Sequence, residues 1–155
     1  MAEVEAEIDS IRFAAICPER VILLARKRGP RCFLPFWVSP SQADILATQL
    51  QGQPDKSMAP DLFLANINAT DSDIKGATIH LEDCIVYAKI LLLQRGKSSE
   101  VRCPIGIALA IAVRAEAPIL VEEALFDRAG VCLPWTRCET PRKTPWWRQL
   151  LMRQS

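Results

Sequence analysis

The run RCFLPFWVSPSQADILATQL, Arg31 to Leu50, constrains the fold more than any other stretch of the chain. A block of apolar residues reaches Ser39-Pro40, and the patterning then changes from strand-like to helical. Pro40 suits the first position of a helix, where its missing N–H would have had no partner, and Ser39 is placed to accept a backbone N–H as N-cap. Ile45, Leu46 and Leu50 then form an apolar stripe, and Gly52 ends the helix. The chain must therefore join strand to helix through a rigid corner.

The segments on either side extend this reading. Val4, Ala6 and Ile8 alternate with Glu3, Glu5 and Glu7, the period-two pattern of a strand with one wet face. RVILLARK and CFLPFWV follow, so the first third reads as a three-stranded antiparallel meander with a turn near Gly29-Pro30. QGQPDKSM is a loop, and APDLFLANINAT a second helix with Leu62, Ile67 and Phe63 facing inward. Asp71 to Gly76 turns the chain. ATIHLEDCIVYAKILLL supplies one or two strands, and QRGKSSE a hairpin loop before a short strand at Val101. In PIGIALAIAVRAEAPI the periodicity fits helix and strand alike, but the leading proline and the length favour a buried helix ending near Arg114. PILVEEALFDRAG is a short strand and then a helix with Gly130 past its end. The class is α+β: an antiparallel or mixed sheet with several packed helices.

Composition narrows the function. The 155 residues suit one domain, half of them are hydrophobic and 24% are charged, a globular balance. A formal net charge of +1 gives no overall field to draw in a polyanion, so nucleic-acid affinity must come from a local patch. The acidic N-terminus is unlike a signal peptide and no apolar run reaches the ~18 residues of a membrane span, so no transmembrane segment and a cytoplasmic location are expected. Cys17, Cys32, Cys84, Cys103, Cys132 and Cys138 include no C-x-x-C pair, and buried thiols are expected rather than zinc ligands. The segment Thr136 to Ser155 carries five basic residues against one acid, so the expected division is a domain at residues 1–133 and a basic, tryptophan-rich tail at 134–155. Pro134, Pro141 and Pro145 predict an extended linker before a short amphipathic helix in PWWRQLLMR.

Three motifs carry a resemblance. LPFWVSPSQA (Leu34 to Ala43), KSMAPDL (Lys56 to Leu62) and PIGIALAIAVRAEAPI (Pro104 to Ile119), followed by EEALFDRAG, stand in the order of L-P-I-W-I-G-x-x-E-A, R-P-x-T-H-D-L and R-P-S-D-A-I-A-L-A-x-R-x-x-x-P-I. In this the chain resembles the bifunctional nuclease (BFN) domain family over about residues 3–131. The resemblance implies a wedge-shaped α+β homodimer with a groove at its thick end, and DNase and RNase activity. Polar positions depart from the pattern: T-H-D is Ala59-Pro60-Asp61 here, and R-P-S-D falls on Pro104, Ile105, Gly106 and Ile107. Phosphodiester hydrolysis usually needs divalent ions held by carboxylates, or a base beside a cation. Asp61 is thus the catalytic candidate, with Mg²⁺ or Mn²⁺ the implied cofactor. The alternative is a non-catalytic dimeric binding or regulatory module on the same scaffold.

The candidate contacts to DNA or RNA are Arg31, Lys56, Arg142, Lys143 and Arg148. Trp37 reads as core or dimer interface in preference to a stacking platform for a base. Glu82-Asp83 beside His80 read as a solvated turn, and Glu122 and Glu123 as acids favoured at a helix start. The CFLPFWV block, taken as unpaired, is where a partner subunit would be expected.

Overall fold

The computed structural model describes residues 2–13, 16, 18–52 and 59–132, apart from the side chains of 59, 61 and 132. The strands β1 (Glu3–Phe13), β2 (Arg20–Arg26) and β3 (Cys32–Val38) form the expected antiparallel meander. The helices α1 (Pro40–Leu50) and α2 (Ala59–Ala69) follow. Then come β4 (Ser72–Glu82), β5 (Ile85–Gln94), β6 (Lys97–Cys103), α3 (Ile105–Arg114), β7 (Ile119–Glu122), α4 (Glu123–Ala129) and the two-residue β8 (Val131–Cys132). Among the described residues all eight strands join one mixed sheet in the order β6-β5-β4-β7-β1-β2-β3-β8. Its single parallel pairing, β4 with β7, is spanned by the α3 crossover.

One sheet face carries the core. Ile22, Leu24, Leu34, Ile79, Ile90 and Val121 are fully buried there against Leu46 of α1 and Leu109 of α3. Alanine alternates with larger residues along α3, and this lets neighbours approach closely: Ala108, Ala110 and Ala112 are all fully buried. On the other face, Val21, Leu23, Ala25 and Phe33 are also buried, while Trp37 is 46% exposed and so is not core. CFLPFWV pairs along its length with β2, but on its other side β8 reaches only Cys32 and Phe33, so among the described residues the edge from Leu34 to Val38 has no strand beside it.

The Ser39-Pro40 corner forms as the sequence requires, with Ser39 Oγ accepting from the Gln42 N–H at 3.4 Å. Its apolar stripe is rotated, however. Ala43, Leu46 and Gln49 are buried and Leu50 is exposed, because α1 lies against α3 and turns its 43-46-49 row toward it. Gln42 stands three residues after the N-cap, where glutamine can bond back to it, but its Oε1 instead accepts the Gly106 N–H at 3.0 Å. A Cβ at Gly106 would lie 2.6 Å from Gln42 Cβ, so only glycine permits this approach.

Two further expectations are corrected. Leu62 is 55% exposed: Pro60 is fully buried and shares a helical row with Phe63 and Ile67, and Leu62 lies off that row. Cys32 is disulfide-bonded rather than a thiol. Its Cα partner in the ladder is Cys132, far along the chain. Cys84 and Cys103 are free, and burial pushes the Cys103 thiol up. No described helix is long and apolar enough to cross a membrane.

Candidate nucleic-acid interface

A cleft of about 760 Å³ opens between α2 and the corner where β4 begins and α3 ends. Its walls are built by chain reversals that hydrophobic patterning alone does not show. At the end of α2 the Thr70 hydroxyl donates to the Asn66 and Ile67 carbonyls, at 3.1 and 3.0 Å, and closes the last turn. Asp71 then takes a left-handed φ of 53°, and the strand starts at once with Ser72. The expected turn over Asp71 to Gly76 is therefore a single residue. The polar composition of 72–76 comes from a strand segment beside a cleft and not from a loop.

Within that segment the β4–β5 register shifts between Ile74 and Gly76, which leaves Lys75 without a partner on β5. Such a bulge turns a side chain out of the regular alternation, and here Lys75 lines the cleft with Asp73. Gly76 follows tightly: a Cβ there would meet the Pro118 carbonyl oxygen at 3.0 Å. From the other side, the end of α3 supplies Arg114. Ala117 N–H reaches back to the Ala112 carbonyl at 2.9 Å and Glu116 N–H to Val113 at 3.2 Å, with Glu116 left-handed at φ 53°, a helix end of the Schellman type. Leu62, Leu64 and Ala65 of α2 give the third wall an apolar lip, and Asn68 adds an amide.

Among the described residues, the charged groups that line the cleft are Lys75, Arg114 and Asp73. Lys75 Nζ is 3.8 Å from Asp73 Oδ2, a long and exposed contact that holds the lysine weakly. Among the described residues no three His, Cys, Asp or Glu side chains converge in a way that could hold a metal ion. The apolar lip of the cleft beside positive charge suits a sugar-phosphate chain.

The residues expected from the sequence are spread out. Asp61 lies in the first turn of α2, on the helix that forms one wall, with its side chain outside the described residues. Arg31 is exposed before β3, its guanidinium 5.5 Å above the Phe33 ring, and does not line the cleft. Lys56, Arg142, Lys143 and Arg148, with the whole tail, lie outside the described residues. Lys75 and Arg114 were missed as site residues. Arg114 had a signal, as the arginine that anchors the third motif, whereas nothing in the sequence marks a bulge at Lys75.

The polar residues near His80 form the solvated turn expected of them, with His80 itself set apart. Glu82 and Asp83 are exposed at a tight turn, but His80 faces sideways, with Nε2 3.5 Å from Glu3 Oε1 and Nδ1 3.9 Å from Glu122 Oε2. Glu122 is buried, and its Oε2 also accepts the Leu81 N–H at 2.9 Å, which continues the ladder where β7 ends. Glu122 and Glu123 stand at the start of α4 as expected, Glu122 as its N-cap residue, and the buried Glu122 carboxylate also links the strands.

Comparison with known proteins bears on this arrangement. The sequence matches the family model of the bifunctional nuclease domain over residues 22–134. Two uncharacterized proteins of Mycobacterium tuberculosis, MT1877 and Rv1829, are each 30% identical to it over 132 residues, 84% of this chain and 78% of the relative.

Proposed function

Because the chain belongs to the bifunctional nuclease domain family, we propose that it acts on nucleic acid, holding the sugar-phosphate backbone of DNA or RNA in the cleft between α2 and the β4–α3 corner. The observation that carries this reading is the bulge at Lys75, which lines the cleft together with Arg114. Two cations at one mouth neutralise phosphates, and the lip of Leu62 and Leu64 gives bases or sugars an apolar rest. The reading assigns Arg31, Lys56 and the tail residues Arg142, Lys143 and Arg148 to further backbone contacts outside the cleft.

Binding without cutting is the form that the packing favours. Pro60, at the position of the motif histidine, is fully buried, and Gly106, at the position of the motif serine, is held against Gln42. Both positions serve packing where a nuclease would want polar groups. Phosphodiester hydrolysis is the second reading, favoured by family membership and by Asp61 at the retained acid position. Self-association as a homodimer and a cytoplasmic location complete the proposal.

A gel assay with single- and double-stranded DNA and RNA, in magnesium, manganese and EDTA, tests it. Retarded complexes in EDTA with no cleavage in either metal, weakened by Lys75→Glu, are the expected result. Metal-dependent cleavage abolished by Asp61→Ala would establish the second reading in its place. Neither binding nor cleavage would overturn both.

A further inference from the structure

The sheet ends on one side in β6, a strand that no other element covers among the described residues. Six of the seven residues of β6, Lys97 to Arg102, are exposed, and no strand pairs with its outer edge among the described residues. An open edge of this length invites another strand, and charged residues usually prevent that by setting like against like. Here the charges have the opposite effect in one register.

The geometry follows from the hairpin before β6. Arg95 and Gly96 have φ of 48° and 77°, the two left-handed residues of a tight turn, so Gln94 and Lys97 form its hydrogen-bonded pair. Hydrogen bonding alternates along an antiparallel ladder. Lys97, Ser99, Val101 and Cys103 therefore turn their backbone groups to β5, and Ser98, Glu100 and Arg102 turn theirs outward. Two-fold symmetry about an antiparallel pair requires some residue to face its own copy. With Glu100 facing Glu100 the carboxylates repel. With Val101 facing Val101, Glu100 falls opposite Arg102 twice.

We infer that β6 pairs antiparallel with β6 of a second copy in this register, giving an isologous dimer with a continuous sheet. This deepens the dimer part of the functional reading and rests on it. The outward N–H and C=O groups of Glu100 and Arg102 meet in hydrogen-bonded pairs, and Val101, a 39% exposed valine on the core side of the sheet, meets its copy in the closer, non-hydrogen-bonded position. Each Glu100 carboxylate, already 2.6 Å from Lys89 Nζ, gains the second copy's Arg102, whose guanidinium is held 4.3 Å above the Tyr87 ring.

Sedimentation over a range of concentrations and a cross-linking experiment test the register. Arg102→Glu opposes Glu to Glu twice and should weaken the dimer roughly tenfold or more with the far-UV circular dichroism spectrum unchanged. Adding Glu100→Arg reverses both charges and should restore it. With Cys17, Cys84, Cys103 and Cys138 replaced by serine, Val101→Cys places two sulfur-bearing residues with Cα atoms ~4.5 Å apart, inside the disulfide range, and should give a covalent dimer on oxidation. A wild-type dimer that ignores Arg102→Glu and does not cross-link at Val101→Cys would overturn the edge register and leave the dimer reading intact. A wild-type monomer at every concentration would overturn both.

Discussion

Replacing Gly106 with alanine should destabilise the protein by about 2 kcal/mol, although alanine is the better helix former. The new Cβ would lie 2.6 Å from Gln42 Cβ and 2.7 Å from Gln42 Oε1. The second atom ends a side chain that can swing away, at the loss of its 3.0 Å bond from the Gly106 N–H. The first is fixed to the α1 backbone, so the helices must separate. Overpacking of this kind costs ~1–3 kcal/mol and a lost hydrogen bond ~0.5–1.5 kcal/mol. The gain in helix propensity returns at most ~1 kcal/mol, and less in a first turn. For a chain of this length about 2 kcal/mol lowers the melting temperature by roughly 4–8 °C. Thermal and urea melts measure it. Gln42→Ala keeps the offending Cβ and should not rescue Gly106→Ala, whereas Gln42→Gly should, with a coupling of about 1–2 kcal/mol in the double-mutant cycle. A variant that melts at or above the wild type, or a coupling of zero, would refute the close-approach argument. Serine carries the same Cβ, so the motif residue of the family should be as poorly tolerated here as alanine.

Two other perturbations follow from single groups. Thr78 Oγ1 is buried with no hydrogen-bond partner among the described residues, so Thr78→Val, which keeps the shape and removes the hydroxyl, should raise stability by ~1 kcal/mol in a urea melt; a loss of similar size would show that the hydroxyl is satisfied. The pH profile should be flat at neutrality and fall at both ends. The hydrogen bond from Lys27 holds the Glu5 carboxyl below its ordinary value of 4.5, and that from Lys89 does the same for Glu100. Their contributions are complete above 4.5 and are lost as pH falls through the lowered folded values. Lys89 is raised above 10.5 by the bond to Glu100, so its contribution is complete below 10.5 and is lost only as pH rises through the higher folded value. These groups are exposed and the effects small, and Glu100→Gln should flatten part of both limbs in melts run across pH.

The sequence spoke most clearly where one local rule decided the outcome. Alternation of glutamate with Val4, Ala6 and Ile8 gives β1, Ser39-Pro40 gives the start of α1, and the leading proline with its alanine-rich run gives α3. It was silent where two distant segments decide together. Leu50 and Leu62 are as apolar as their buried neighbours, and only the positions of α3 and Pro60 say which row of each helix turns inward. The site falls in that second class, since Lys75 enters the cleft through a register slip against β5. The tail is a third case: its charge is legible as composition, its placement is not. That composition still predicts a measurement. The basic excess of residues 136–155 is about four charges, and a site that neutralises about four phosphates has a log-affinity against log-salt slope of roughly −3 to −4. Deleting Thr136 to Ser155 should weaken binding to a DNA or RNA duplex and remove most of that slope. Lys75→Glu in the full chain should remove only about one unit of it. If the deletion leaves affinity and slope unchanged while Lys75→Glu abolishes binding, the cleft alone holds the nucleic acid and the basic tail has another task.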